Sequence, residues 1–304
     1  MNLTPHFSVS PNPRVSFEVV YEDDDLIALS KPAGVVTQPG DKHLYDSLLN
    51  GAFSRWGKRL QNLGKRRDFG LLHRLDRGTS GLVLIALSVE CYDGLRARFE
   101  QRSLTKKYWA MVSGRPSPSA GRCELRIAEV RSRGQKRAQV ITPPPRHHAH
   151  RHHRSRHRNH PKHQRADHRQ RHHLPKDETH TQRGQRAITS YQTLHTSRYG
   201  SSSATLLECD LHTGRLHQIR AHMSALGAPI IGDFDYGGKT PLNLLARQRG
   251  RGQLALHAGY LALTHPCSGA PLRLSAPAST WFQHLAAELG LSLPEALICH
   301  HESR

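Results

Sequence analysis

The sequence predicts an α+β domain, and three observations carry that expectation. Residues 17–29 place β-branched and apolar side chains on either side of an acidic turn at 22–25, the pattern of strand, turn and strand. Apolar residues recur with helical spacing at 47–56, where Leu48, Leu49, Ala52 and Phe53 share a face, and again at 90–101 and about 281–289. Segments 107–112, 187–194, 204–211, 254–263 and 272–274 have the content of buried strands.

Taken in order, residues 1–14 are polar, with Pro and Asn, and read as a flexible N-terminal arm. A single catalytic domain is expected over 15–293, followed by a flexible tail at 294–304. Lys31-Pro32-Ala33-Gly34 breaks the first strand pair, and Val35, Val36 and Thr37 resume it until Pro39-Gly40. Between a basic stretch at 58–67 and the apolar segment 81–86 lies a polar loop, His73 to Ser80, held by flanking strands. Residues 213–223 suit a loop entering a helix, and the glycines at 232, 237 and 238 mark another loop.

Composition narrows the partners. The 304 residues include 44 Lys and Arg against 24 Asp and Glu, a formal charge of +20 whose field favours polyanions. Residues 146–186 differ sharply from the rest: they hold 12 of the 24 histidines, 12 basic residues, three acids and almost no large apolar side chain. Such a segment cannot bury enough surface to offset the entropy of ordering, so it is expected to be a disordered insertion that interrupts the domain. Without it 32 basic residues still face 21 acidic ones. Histidine is a common ligand of Zn, Ni or Cu, but the spacings here follow no template, and any metal held there is expected to be adventitious. The five cysteines contain no C-x-x-C pair and suggest a reducing, cytoplasmic setting. No cationic patch followed by an apolar run opens the chain, and the longest apolar run, 81–87, is too short to cross a bilayer.

Taken alone, His73-Arg74-Leu75-Asp76 admits several readings. A kinase-like catalytic base lacks its Gly-rich loop upstream and its Asp-Phe-Gly downstream. Asp76 as an acid that pairs Arg74 or Arg77 and ties down a turn is the plainer alternative.

The whole run His73-Arg74-Leu75-Asp76-Arg77-Gly78-Thr79-Ser80-Gly81-Leu82, however, resembles the H-R-L-D-x-x-T-S-G-L signature of RluA-like pseudouridine synthases. Four further blocks occur in the same order as in that family. These are Lys31-Pro32-Ala33-Gly34-Val35-Val36, then Lys106-Lys107-Tyr108-Trp109-Ala110, then Thr213-Gly214-Arg215-Leu216-His217-Gln218-Ile219-Arg220-Ala221-His222 with Gly232-Asp233 and Tyr236-Gly237, and finally Leu256-His257-Ala258 with His265-Pro266. The resemblance covers 15–282 apart from the insertion. It departs at Leu216, commonly Thr or Ser in the family, and at Gln38, frequently His. The fourteen residues before the core are too few for the small S4 domain many relatives carry.

The resemblance implies a long, largely antiparallel mixed sheet with flanking helices and a central catalytic cleft, and isomerisation of uridine to pseudouridine in structured rRNA or tRNA. No cofactor, required metal, membrane or obligate protein partner is implied. Asp76 is the expected nucleophile, Arg220 the cation that keeps it ionised, and Tyr108 the aromatic surface for the flipped base. His73, Arg74, Arg77, Arg215, His217 and Gln218 are expected to contact RNA. Thr79 and Ser80 are expected to brace the loop through backbone hydrogen bonds, and His257 to be structural. The alternative is a non-catalytic RNA-binding or chaperone protein that retains the synthase fold.

Overall fold

The computed structural model of the chain describes residues 7–132, 135–141 and 184–298. Among the described residues are eleven strands: β1 (Glu18–Glu22), β2 (Leu26–Lys31), β3 (Ser80–Ala86), β4 (Thr105–Ser113), β5 (Ala120–Cys123), β6 (Arg126–Ser132), β7 (Gln135–Ile141), β8 (Thr189–Tyr199), β9 (Ser202–Leu211), β10 (Leu256–Thr264) and β11 (Pro271–Ser275). Five helices accompany them: α1 (Leu48–Leu63), α2 (Val89–Gln101), α3 (Gln218–Ala225), α4 (Pro241–Arg249) and α5 (Thr280–Glu288). Nine strands form one sheet in the order β1-β2-β3-β10-β4-β9-β8-β5, with β11 added on β10, while β6 and β7 form a separate hairpin. Every pairing is antiparallel except β3 with β10, so the expected mixed, largely antiparallel sheet is what the chain forms.

All seven residues of β3 are buried, and their alternation divides the core. Val83 and Ile85 pack into the larger cluster with Phe53 and Leu60 of α1, while Leu82, Leu84 and Ala86 pack on the opposite face with Cys91, Tyr92 and Leu95 of α2. A strand covered on both faces reads as a continuous apolar run, as 81–87 does. Where β3 meets β10, Gly81 has φ of +113°, and a Cβ there would lie 2.2 Å from the carbonyl oxygen of Ala258. Only glycine permits that approach, which seats the polar loop of 73–79 against the sheet centre.

The structure extends or adds elements that the sequence pattern hid. Helix α1 runs past Trp56 to Leu63 because Leu60 and Leu63 continue its buried face between the basic residues. The hairpin β6–β7 and helix α4 were not anticipated, although Thr240-Pro241 is a helix-start signal and the Thr240 Oγ1 accepts the backbone N–H of Asn243 at 3.2 Å. Of the expected arm, Phe7 and Val9 are packed: Phe7 meets Phe53 edge-on at 5.7 Å and Val9 is buried, while Ser8, Ser10, Pro11, Pro13 and Arg14 are exposed. Of the expected tail, Leu297 is buried and its carbonyl accepts the backbone N–H of Ala278. A few well-placed apolar residues anchor both ends, a signal that mean polarity averages away. The expected insertion lies outside the described residues except for Gly184, Gln185 and Arg186. Gln185 exchanges backbone hydrogen bonds of 2.7 and 2.9 Å with Ile127, so the domain resumes before residue 187.

Candidate active site

The loop ahead of β3 is fixed mainly through its backbone. Thr37 Oγ1 donates to the Leu75 carbonyl at 2.8 Å and accepts the Leu75 N–H at 3.0 Å, gripping the residue before Asp76 from both sides. The Thr79 N–H closes a turn on the Asp76 carbonyl at 3.1 Å. Beneath the turn, the fully buried Lys31 ammonium donates to the carbonyls of Pro32, Val35 and Arg77 at 2.9, 2.7 and 3.3 Å. Burial pulls its pKa down to about 7, while the charge of Asp76 pulls the other way.

The Asp76 carboxylate is held from the other side by α3. Arg220 Nη1 donates to Asp76 Oδ2 at 3.0 Å, while its Nε and Nη2 bind Asp233 bidentately at 2.7 and 3.0 Å, and Nη2 also reaches Asp235 at 3.2 Å. Burial disfavours the Arg220 charge, but the hydrogen bonds and charge of Asp233, then of Asp76, outweigh it and hold its pKa above the ordinary value. Asp233 is itself fully buried, and its Oδ1 also accepts the N–H groups of Asp235 and Tyr236. This network leaves the guanidinium one direction in which to point, toward Asp76. His217, in the left-handed region at φ 48°, places Nε2 3.9 Å from Asp76 Oδ1 and Nδ1 3.0 Å from the Tyr236 hydroxyl. Burial lowers its pKa against the pull of Asp76.

These groups line a cleft of about 840 Å³, which lies within the range of ligand sites, and Asp76, Arg220 and Tyr108 share its wall. Tyr108 on β4 is buried, and burial followed by the nearby Asp76 charge raises its phenol pKa, so it stays protonated. Arg74 and Arg215 are exposed at the cleft. His73 lies in the cleft wall but serves the scaffold: it stacks on Phe99 at 5.4 Å, its Nε2 accepts the Leu84 N–H at 3.0 Å, and burial pushes its pKa down to about 3.

Two of the expected RNA contacts are engaged by the protein itself. Arg77 does not line the cleft, and its Nε turns back to the Gly34 carbonyl at 2.9 Å. Gln218 lines it but is buried and fully engaged: its Oε1 accepts from Thr213 Oγ1 and the Arg215 N–H, and its Nε2 donates to the Ile188 carbonyl and Thr189 Oγ1. The bracing expected of Thr79 comes from its backbone alone, since its buried hydroxyl has no partner among the described residues. Ser80 Oγ instead meets His257 Nδ1 at 2.9 Å, and that histidine, with Nε2 at the Ala276 carbonyl, is structural as expected.

Lys31, Lys106, Asp233, Asp235 and Tyr236 also take part in the site or its support. All five lie in the motif blocks or beside them, but their roles depend on which neighbours the fold supplies. Lys106 lines the cleft, its ammonium 5.2 Å from the centre of the Phe99 ring, and burial lowers its pKa to about 8.

A carboxylate tied to a buried arginine beside a protonated tyrosine, in a cleft whose lining holds more basic than acidic side chains, suits a polyanionic substrate. The chain belongs to the RNA pseudouridylate synthase family, whose model matches residues 25–225, a span that contains Asp76, Tyr108 and Arg220. It is an isomerase that forms pseudouridine in RNA. The chain is 30% identical over 256 residues to the Ribosomal large subunit pseudouridine synthase D of Zymomonas mobilis, covering 84% of this chain and 67% of that protein. With the protein of the same name from Xanthomonas campestris the identity is 32% over 281 residues, covering 90% and 70%. Among solved structures, Human RNA Pseudouridylate Synthase Domain Containing 4 shares the fold, with a TM-score of 0.59 at 22% identity, covering 91% of this chain and 94% of that one. No helix among the described residues is long and apolar enough to cross a membrane.

Proposed function

We propose that this enzyme isomerises uridine in large-subunit ribosomal RNA, in the cytoplasm, with Asp76 as the nucleophile. The observation that carries the catalytic assignment is the 3.0 Å contact of Asp76 with Arg220, whose other donors are occupied by Asp233 and Asp235. The reaction breaks the N1–C1′ bond, turns the uracil, joins C5 to C1′ and moves one proton from C5 while N1 gains one. It needs no electron acceptor. Arg220 aims the carboxylate, and Tyr108 supplies a face for a base removed from its stack. Arg74, Arg215 and Lys106 supply positive charge for the flanking phosphates. The ribosomal substrate is supported by the names of the Zymomonas and Xanthomonas relatives, and four free thiols among the described residues suit a reducing compartment.

The test is tritium release from large-subunit ribosomal RNA and tRNA transcripts carrying [5-³H]uridine. Wild type is expected to release tritium from the ribosomal transcript, and Asp76→Asn to lose at least about 10³-fold in rate, as removal of a nucleophile does. Activity retained by Asp76→Asn overturns the catalytic assignment, and release from tRNA alone overturns the substrate.

A further inference from the structure

Two parallel chains of contacts run from β7 to the Asp76 carboxylate. Arg137 pairs with Asp235, Asp235 Oδ2 meets Arg220 Nη2 at 3.2 Å, and Arg220 Nη1 reaches Asp76. From the next residue, the Ala138 N–H donates to the Tyr236 hydroxyl at 2.9 Å, that hydroxyl lies 3.0 Å from His217 Nδ1, and His217 Nε2 faces Asp76 at 3.9 Å. Neighbouring residues of one strand, through neighbouring residues of one loop, thus end on Arg220 of α3 and on His217 at its N-cap, the two side chains that flank the nucleophile. The Tyr236 ring also lies beneath Arg220, with its centre 5.0 Å from Cζ.

The hairpin is placed to report on RNA. It forms its own two-stranded sheet, anchored at its base by the Ile127–Gln185 pairing and by the Leu125 carbonyl at His222 Nε2, 3.1 Å away. Further along, Glu129 and Lys136 form a 2.6 Å ion pair and both line the cleft, so RNA seated there touches the hairpin. The Tyr236 hydroxyl joins the hairpin to His217. Its oxygen takes the Ala138 N–H, and its single proton has two acceptors within reach, His217 Nδ1 at 3.0 Å and the Ala138 carbonyl at 3.1 Å. When that proton points to Nδ1, His217 carries its own proton on Nε2 and turns an N–H toward the anionic Asp76, so the sharing of the tyrosine proton between hairpin and histidine bears on what His217 presents to Asp76.

We propose that Asp235 and Tyr236 are positioning residues that couple the β6–β7 hairpin to Arg220 and His217, so that RNA packed against the hairpin sets the two partners of Asp76. This rests on the assignment of Asp76 as nucleophile. Tyr236→Phe keeps the ring under Arg220 and removes only the hydroxyl. Arg137→Ala releases Asp235, and Arg137→Lys restores its charge.

The experiment is a single-turnover assay with enzyme in excess over a [5-³H]uridine ribosomal transcript, paired with filter binding of the same transcript and a thermal melt of each variant. Tyr236→Phe and Arg137→Ala are each expected to lower the saturated rate about tenfold, the scale of a small misalignment, while the RNA dissociation constant stays within about twofold. Arg137→Lys is expected to recover most of the rate. Nitrogen shifts of ¹⁵N-histidine protein, with His217 identified by its absence from His217→Gln, are expected to change at Nδ1 in Tyr236→Phe, where that nitrogen loses the tyrosine hydroxyl. Rates within about twofold of wild type, or losses that track RNA affinity or melting temperature, overturn the coupling. Asp76→Asn serves as the control: if it is inactive while the hairpin variants are not impaired, the coupling alone fails, and if it is active the nucleophile assignment has failed.

Discussion

The two supports of Asp76 differ in kind. On the side of Lys31 and Thr37, contacts go to backbone: the one Thr37 hydroxyl meets both peptide groups of Leu75, and all three acceptors of the Lys31 ammonium are main-chain carbonyls. On the side of α3, contacts go to side chains, and nearly every participant is charged: Arg220, Asp233, Asp235 and Asp76. The difference teaches how one carboxylate can be both fixed and reactive. Backbone hydrogen bonds set where the loop lies without spending the carboxylate oxygens, and a buried cation sets their direction. Position and direction are controlled by separate parts of the chain.

The largest effect is expected on the charged side. Arg220→Ala leaves Asp233 buried without its partner, which costs about 3–5 kcal/mol of stability and removes the cation on Asp76. Urea melts and tritium release are expected to show both losses together. A variant with unaltered stability would show that the pair holds nothing in place. Arg220→Lys keeps charge but cannot span Asp76 and Asp233 in a bidentate fork, so activity is expected to stay low even where the protein folds.

The neutral side is expected to respond more weakly and with a distinct pH signature. Lys31→Met strands carbonyls that are buried with the ammonium, at a cost of about 1–3 kcal/mol. In wild type, the Lys31 pKa of about 7 in the fold lies below its ordinary value of 10.5. The unfolded chain therefore binds more protons between those values, and this group's contribution to stability falls as pH drops from about 10.5 to about 7. Urea melts at pH 7 and pH 9 are expected to show that part of the pH dependence vanishing in Lys31→Met. An identical pH difference in the two proteins counts against it.

The smallest effect separates recognition from both supports. Lys106 faces the cleft with its pKa lowered to about 8, so its charge fades as pH rises from 7 to 9. Affinity for the ribosomal transcript at fixed salt is expected to weaken a few-fold over that interval, about the loss of one phosphate contact. Lys106→Arg, charged throughout, is expected to bind evenly across the range. Equal pH dependence in the two proteins would place the titrating group elsewhere.

Much of this was legible in the residues themselves. Strand-like segments at 17–29, 107–112 and 204–211 fold as strands because each is bounded by turn residues and buries its apolar face. The ordered blocks around Asp76, Tyr108 and Arg220 picked out residues that meet in one cleft, although 144 positions separate Asp76 from Arg220. Helix α4 and the hairpin escaped because charged residues interrupt their short apolar patterns, and their burial comes from partners distant in sequence.

By itself, then, the sequence determined the α+β class, the polyanion-seeking charge and the residue types of the site, since periodicity, composition and motif spacing are local properties of a chain. Only the tertiary structure decided that Arg77 turns its Nε back to the Gly34 carbonyl, that Gln218 is engaged by protein groups, that His73 is a neutral stacking partner, and that Asp233, Asp235 and Tyr236 stand behind Arg220 and His217. Those roles rest on which donor meets which acceptor across the sheet, and on burial that sets which groups keep their charge, quantities that exist only once distant segments are packed together.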